Sequence, residues 1–296
     1  MSTIADVLNS SPRLQRRLFF LARRFVAGEN VDDAMRVVAG LNAQRLSVTL
    51  DYLGEDVLRE HEAAENTAVY CDMVRRIIAA NFDANVSVKL SAIGQSISED
   101  LGTANLMRIV EIARPHDMFV RLDMEGSATV DSTYRIMERA RAQYSNIGPV
   151  VQAYLHRAAS DVQRLLANRV RIRLCKGAYK EPPDLAIERM PLIRRNYMEL
   201  AEQLLESPAY HGIATHDEYL IAAVRAFVER RSISRDRFEF QMLYGIRAEA
   251  QRTIAREGYR MRVYVPFGTH WAGYFYRRLA ERRENVFFVL RNLFVR

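Results

Sequence analysis

Tyr274, Arg277, Arg278 and Glu281 are spaced i, i+3, i+4 and i+7. On a helix opening near Trp271 their side chains fall within an arc of roughly 100°. Two adjacent guanidinium forks beside a tyrosine hydroxyl make a socket for a planar anion such as a carboxylate. Glu281 lies three and four residues from the arginines and can hold both while the socket is empty. A solvated helix face has the same composition, so the reading turns on what the rest of the chain brings to this helix.

Further chemistry-bearing residues stand at the ends of short apolar runs. Lys89 sits among apolar and small residues, and three roles fit it: a Schiff-base amine, an anion-binding cation, or half of a structural salt bridge. Asp123 ends the next apolar run and is its natural ion-pair partner. An aspartate beside a lysine stays ionised at neutral pH, which suits positioning better than proton donation. Arg173 and Lys176 flank another run, with Gly177 allowing the backbone close to a ligand. Two cations and a close-approach glycine point to a phosphate-bearing or electron-rich partner. Thr215 and His216 open a helix, where free N–H groups favour phosphate oxygens. No G-x-G-x-x-G follows a strand, so a Rossmann-type site is not supported. His61, Glu62 and Glu65 lack a second histidine and read as a solvated helix face, so no metal is expected. No Ser-His-Asp or Cys-His arrangement is argued by spacing.

These residues need a scaffold that gathers strand ends. The apolar, β-branched runs predict strands at 46–50, 86–90, 118–123, 149–154, 170–175, 212–215, 238–243 and 263–266. The amphipathic stretches between them centre helices on 56–80, 99–113, 130–143, 160–168, 184–206, 217–230, 246–257 and 271–283. Eight strands, each followed by a helix, predict an α/β fold, a distorted (β/α)8 barrel of the TIM type. The near-continuous apolar runs suit a parallel sheet buried on both faces. Residues 11–44 read as two packing helices, the first ending at Gly28 and the second running from Asn30 to about residue 42. The barrel then spans 46–285, with the last helix over its mouth, and 286–296 form a closing helix. No linker rich in Gly, Pro or Ser interrupts this, so 1–296 reads as one domain.

In such barrels chemistry collects where strands end, and here every strand end carries an unusual polar residue. In order these are Asp51 with Glu55, Lys89, Asp123, Gln152, Arg173 with Lys176, Thr215 with His216, Gln241, and Tyr264. Bulk composition agrees with a soluble globular protein with a sizeable core. The 296 residues are 49% apolar and 27% charged, and the net charge of +7 comes from 43 basic and 36 acidic residues. The basic residues are spread along the chain without a block, which argues against nucleic acid and leaves room for an anionic substrate or an anionic membrane surface. Cys71 and Cys175 lie far apart, as expected in a reducing compartment. The N-terminus lacks an apolar signal core, and no run reaches the roughly 18 apolar residues of a membrane span. A cytoplasmic protein, at most peripheral on the inner face of the membrane, is expected.

Several motifs are similar to those of the proline dehydrogenase family. They are Val86-Ser-Val-Lys-Leu-Ser, Arg121-Leu-Asp-Met-Glu, Val150-Val-Gln-Ala-Tyr, Arg173-Leu-Cys-Lys-Gly-Ala-Tyr, Ala214-Thr-His, Phe238-Glu-Phe-Gln-Met-Leu-Tyr-Gly and Val263-Tyr-Val-Pro-Phe-Gly-Thr, closed by Tyr274-x-x-Arg-Arg-x-x-Glu. They span about 46 to 285, in order, and the length resembles the short bacterial enzymes. The resemblance implies FAD-dependent oxidation of L-proline to Δ1-pyrroline-5-carboxylate by hydride transfer to flavin N5, with electrons passed to a membrane quinone. Position by position, it implies that Lys89, Arg277 and Arg278 hold the substrate carboxylate, with Glu281 behind the arginines. Tyr264, Tyr274, Leu174 and Tyr179 would wall in the pyrrolidine ring. Asp123 and Arg173 would join Lys89 as catalytic groups. Met124, Gln152, Arg173, Lys176, Gly177, Ala178, Thr215, His216 and Gln241 match flavin-contacting positions, and Glu55 matches an acid that gates the site through the first arginine. The alternatives are a Schiff-base aldolase using Lys89 or Lys176, and a non-catalytic flavin-binding homologue.

Overall fold

The computed structural model describes residues 19–280. Eight parallel strands close into a barrel in sequence order. They are β1 (Ser47–Tyr52), β2 (Ala84–Val88), β3 (Val120–Leu122), β4 (Ile147–Gln152), β5 (Arg173–Cys175), β6 (His211–Ala214), β7 (Phe238–Leu243) and β8 (Arg260–Phe267). β8 closes on β1 over six residues, from Ser47 opposite Arg262 to Tyr52 opposite Phe267.

Helix α1 (Val31–Asn42) precedes the barrel, and α2 (Glu60–Ala79), α3 (Glu99–Ala113), α4 (Val130–Arg141), α5 (Ala158–Ala167), α6 (Met190–Glu206), α7 (Glu218–Arg230), α8 (Ala248–Arg256) and α9 (Trp271–Ala280) alternate with its strands. Side-chain caps fix three starts: Asn30 accepts from the Asp33 N–H, Ser98 from Leu101 and Asp217 from Tyr219. The predicted helix at 184–206 begins instead at Met190, with Pro191 in its first turn. The residues before it pair with the loop after β4, where Ile187 N–H donates to the Tyr154 carbonyl, so they cannot also form a helix.

The barrel interior departs from the expected apolar filling. Val48 and Leu50, Val86 and Val88, Phe238 and Phe240, and Val263 and Val265 join the core beneath the helices. The residues alternating with them are polar. Arg173 on β5 bonds Ser87 on β2 and Gln241 on β7, contacts possible only across the barrel's inside. Period-two alternation therefore separates a dry helix-facing layer from a charged axis.

A smaller core fixes α9. Leu21, Ala22, Phe25, Val26 and Leu53 pack with Trp271, Ala272, Tyr274 and Phe275, and each fully buried aromatic contributes roughly 1.5–3 kcal/mol. Trp271 Nε1 donates to Glu29 at 3.1 Å, and the Ala27 N–H donates to the Pro266 carbonyl. Gly245 sits at φ +72°, where a Cβ would collide with the Arg24 carbonyl, so the loop after β7 closes against this same N-terminal stretch. The stretch before α1 thus clamps α9, a role its sequence did not reveal. The predicted closing helix at 286–296, Glu281, and the first predicted helix before residue 19 lie outside the described residues.

Candidate active site

One cavity of about 1100 Å³ opens where the strands end. Lys89 follows β2 at the start of a short 3₁₀ turn, Leu90–Ile93. Its Nζ lies 2.5 Å from Asp51 Oδ2, 3.4 Å from the Tyr264 hydroxyl and 4.0 Å from Glu55 Oε2. The expected Lys89–Asp123 pair is not the one formed. Asp123 accepts from Arg173 Nη1 at 2.7 Å and from the Tyr264 hydroxyl at 2.8 Å. Register explains the exchange: Asp51 stands opposite Ser87, two residues before Lys89, while Arg173 spans the barrel and takes Asp123.

Burial pushes the Asp51 carboxyl up to about 7, with Lys89 pulling it only part of the way back. Its Oδ1 accepts no hydrogen bond among the described residues. Burial works against charge on Lys89 too, yet Asp51, Glu55 and Asp123 together hold that ammonium well above the usual lysine range. Burial likewise opposes charge on Glu55, but Lys89 and Arg277 outweigh it and keep that carboxyl below its ordinary value. Burial, with Asp123 and Asp51 near, keeps the Tyr264 phenol protonated and a donor.

On α9, Tyr274, Arg277 and Arg278 all line the cavity. Arg277 Nη2 donates to Glu55 Oε1 at 2.7 Å, so the described partner of this arginine is an acid from the loop after β1. The Arg278 guanidinium lies 5.1 Å from the Tyr274 ring and is buried.

The cavity extends toward β5, β6 and β7. Lys176 and Arg194 share Asp217 at 3.2 and 2.8 Å. His216 Nε2 accepts from the Leu243 N–H at 2.9 Å, and Arg247 donates to the His216 carbonyl at 2.6 Å. Thr215 Oγ1 accepts from the Asp217 N–H, and Gln152 donates to the Glu125 carbonyl. Gly177 has φ +117°, and a Cβ there would strike the Tyr154 ring, so the turn that brings Gly177 and Ala178 to the cavity requires glycine.

Of the residues singled out in the sequence, Asp123, Met124, Gln152, Arg173, Lys176, Gly177, Ala178, Tyr179, Thr215, His216, Gln241 and Tyr264 line this cavity with Lys89 and the three from α9. Leu174 does not. It alternates with Arg173 and Cys175 on β5, and is fully buried in the helix-facing core. Sequence reasoning marked Tyr154 and Asp217 only as strand-end polar residues without a role and missed Arg194, Tyr219 and Arg247; all five also line it. Asp217 directly follows Thr215 and His216 and caps α7, a signal that was available. No cluster of metal-ligating side chains occurs among the described residues.

A model of the proline dehydrogenase family matches residues 34–291. The chain is 40% identical over 272 residues to proline dehydrogenase 1 of Bacillus subtilis, covering 92% of this chain and 90% of that protein. It is 37% identical over 296 residues to the proline dehydrogenase of Deinococcus radiodurans, covering 98% and 96%. Among solved structures it resembles proline utilization A from Bdellovibrio bacteriovorus, inactivated by N-propargylglycine, with a TM-score of 0.84 and 26% identity over 90% of this chain. It spans 33% of that longer protein.

Proposed function

The chain belongs to the proline dehydrogenase family, and from that premise we propose that it oxidises L-proline to Δ1-pyrroline-5-carboxylate with FAD, passes the electrons to a membrane quinone, and so opens proline catabolism to glutamate. The observation that carries this reading is that Lys89, Arg277 and Arg278 all line one cavity far larger than an imino acid. Ligand pockets run from about 300 to 1,000 Å³, so this one has room for a dinucleotide beside the substrate. The residues toward β5–β7 suit such a group: Lys176, Arg194 and Arg247 for its phosphates, with the backbone at Gly177 and Ala178 alongside. Met124, Gln152, Thr215, His216 and Gln241 are assigned to the same cofactor.

When bound, FAD supplies the two-electron acceptor, at its N5. The chain's own residues do the positioning. Lys89, Arg277 and Arg278 take the substrate carboxylate, Tyr264, Tyr274 and Tyr179 enclose the ring, and a substrate held this way leaves few orientations to search. Arg173 is the fixed cation that offsets negative charge developing during the reaction, and Asp123 holds that arginine and the Tyr264 hydroxyl in place. Glu55 occupies Arg277 between substrates and releases it when a carboxylate arrives. A Schiff-base amine needs a lysine that gives up its proton readily; Lys89, clasped by Asp51, is the opposite case.

We assign the chain to a single domain in the cytoplasm, touching the membrane peripherally to reach its quinone. No helix among the described residues is long and apolar enough to cross a membrane. The visible absorption spectrum tests the reading. Purified protein is expected to show flavin bands that bleach on anaerobic addition of L-proline. A colourless protein that ignores added FAD would overturn it.

A further inference from the structure

Arg173 is held at three of its nitrogens. Nη1 donates to Asp123 and Nη2 to Ser87 Oγ at 2.9 Å, while Nε donates to Gln241 Oε1. Two of these acceptors adapt without ambiguity: a carboxylate only accepts, and a hydroxyl rotates. Gln241 is different. Its amide can present either oxygen or NH2, and the NH2 would set donor against donor.

What decides lies one layer deeper. Gln241 Nε2 donates to Glu239 Oε1 at 2.6 Å. A carboxylate cannot donate, so the amide nitrogen must face Glu239 and the oxygen must face Arg173. Glu239 is itself fixed, accepting from Arg262 Nε at 2.7 Å and from the Tyr210 hydroxyl at 3.0 Å. Burial works against its charge, yet Arg262, Gln241 and Tyr210 more than compensate and keep it ionised. Gly212 leaves the space the amide occupies, since a Cβ there would collide with the Gln241 side chain.

We propose that Glu239, which lies outside the cavity lining, is a positioning residue for the oxidation: through the Gln241 amide it fixes the guanidinium of Arg173 toward the cofactor. The inference rests on the functional reading above, in which Arg173 serves the flavin. Arg262 Nε donates to the same Glu239 Oε1 as Gln241 does and cannot accept. In Glu239→Gln an amide oxygen therefore stays toward Gln241, whereas replacing both Glu239 and Arg262 by leucine removes the acceptor and frees the Gln241 amide to turn.

The test uses flavin-loaded full-length protein and three readouts: flavin content, the reduction potential of the bound flavin, and steady-state kinetics. E239Q is expected to retain flavin and to keep potential and kcat near wild type, because its amide oxygen still accepts from Gln241 and Arg262. KM for proline should stay within about twofold, because Lys89, Arg277 and Arg278 are untouched. E239L/R262L removes both buried charges together, which avoids leaving one unpaired. It is expected to retain flavin, to shift the potential to more negative values and to lose about tenfold in kcat, a modest share of what a lost electrostatic donor costs. A folded E239L/R262L with wild-type potential and kcat, or one changed only in Tm, overturns the proposal, as does an E239Q that loses as much as the double variant. Wild-type protein that binds no flavin overturns the functional reading instead.

Discussion

Arg262 and Lys89 are buried equally, each 7% exposed inside the same barrel, yet they are held in opposite ways. Arg262 spends its guanidinium on protein: Glu239 at 2.7 Å, the Val48 carbonyl at 2.7 Å, and Asp83 more distantly. Glu239 in turn is saturated by Gln241 and Tyr210. Lys89 has one short contact, to Asp51, and its remaining neighbours are longer; it also lines the cavity, which Arg262 does not. Burial of a charge is thus no mark of function by itself. A cation whose donors are all answered by the fold is structural, and one that keeps a side open to a cavity is available to a ligand.

Breaking the closed pair should cost the most. Arg262→Met leaves Glu239 buried without its counter-charge and is expected to destabilise the fold by about 3–5 kcal/mol in urea titration, while KM for proline in the folded fraction stays near wild type. A loss under about 1 kcal/mol would mean that the Arg262–Glu239 pair is no more structural than Lys89 and Asp51.

Lys89→Met should invert that pattern. Proline affinity is expected to fall on the order of 100-fold, as befits a lost charge-assisted contact to a carboxylate. Stability near pH 6 should change by less than about 1 kcal/mol, because Asp51 can answer the loss by taking a proton. The check is a pair of measurements on one sample, KM and the urea midpoint. A variant as unstable as R262M with an unchanged KM would erase the distinction.

The same contrast explains what could be read in the chain. The eight strands announce themselves as β-branched runs, and parallel barrels put chemistry at strand ends, so Lys89, Asp123, Arg173 and Tyr264 could be marked from position alone. α9 could be marked from the i, i+3, i+4 spacing of Tyr274, Arg277 and Arg278. Partners were another matter. Whether Lys89 meets Asp123 or Asp51 depends on strand register and on how far Arg173 reaches across the axis, and neither is a local property. Leu174 was misplaced for a related reason: a motif puts it beside Arg173, but alternation sends neighbours on a strand to opposite faces. The clamp formed by Phe25, Trp271 and Phe275 joins residues some 250 apart, beyond any periodicity.

The smallest expected effect bears on how firmly Asp51 is held. In an unfolded chain Asp51 titrates near 3.9, whereas in the fold it does so at about 7. Between those values the folded state carries a proton that the unfolded state has lost, so this group makes stability fall as pH rises from about 4 to 7. Asp51→Asn removes that slope. The stability of D51N relative to wild type should therefore rise by about 1 kcal/mol between pH 6 and pH 7 and level off above that. Glu55 and Glu239, whose carboxyls lie below their ordinary values, contribute the opposite slope at lower pH, and to first order these terms cancel in the difference. Chemical denaturation of both proteins at a series of pH values reads it. A difference that does not move with pH would mean that Lys89 holds Asp51 ionised as firmly as Arg262 holds Glu239, and the two pairs would then differ in their access to the cavity but not in the state of their carboxylates.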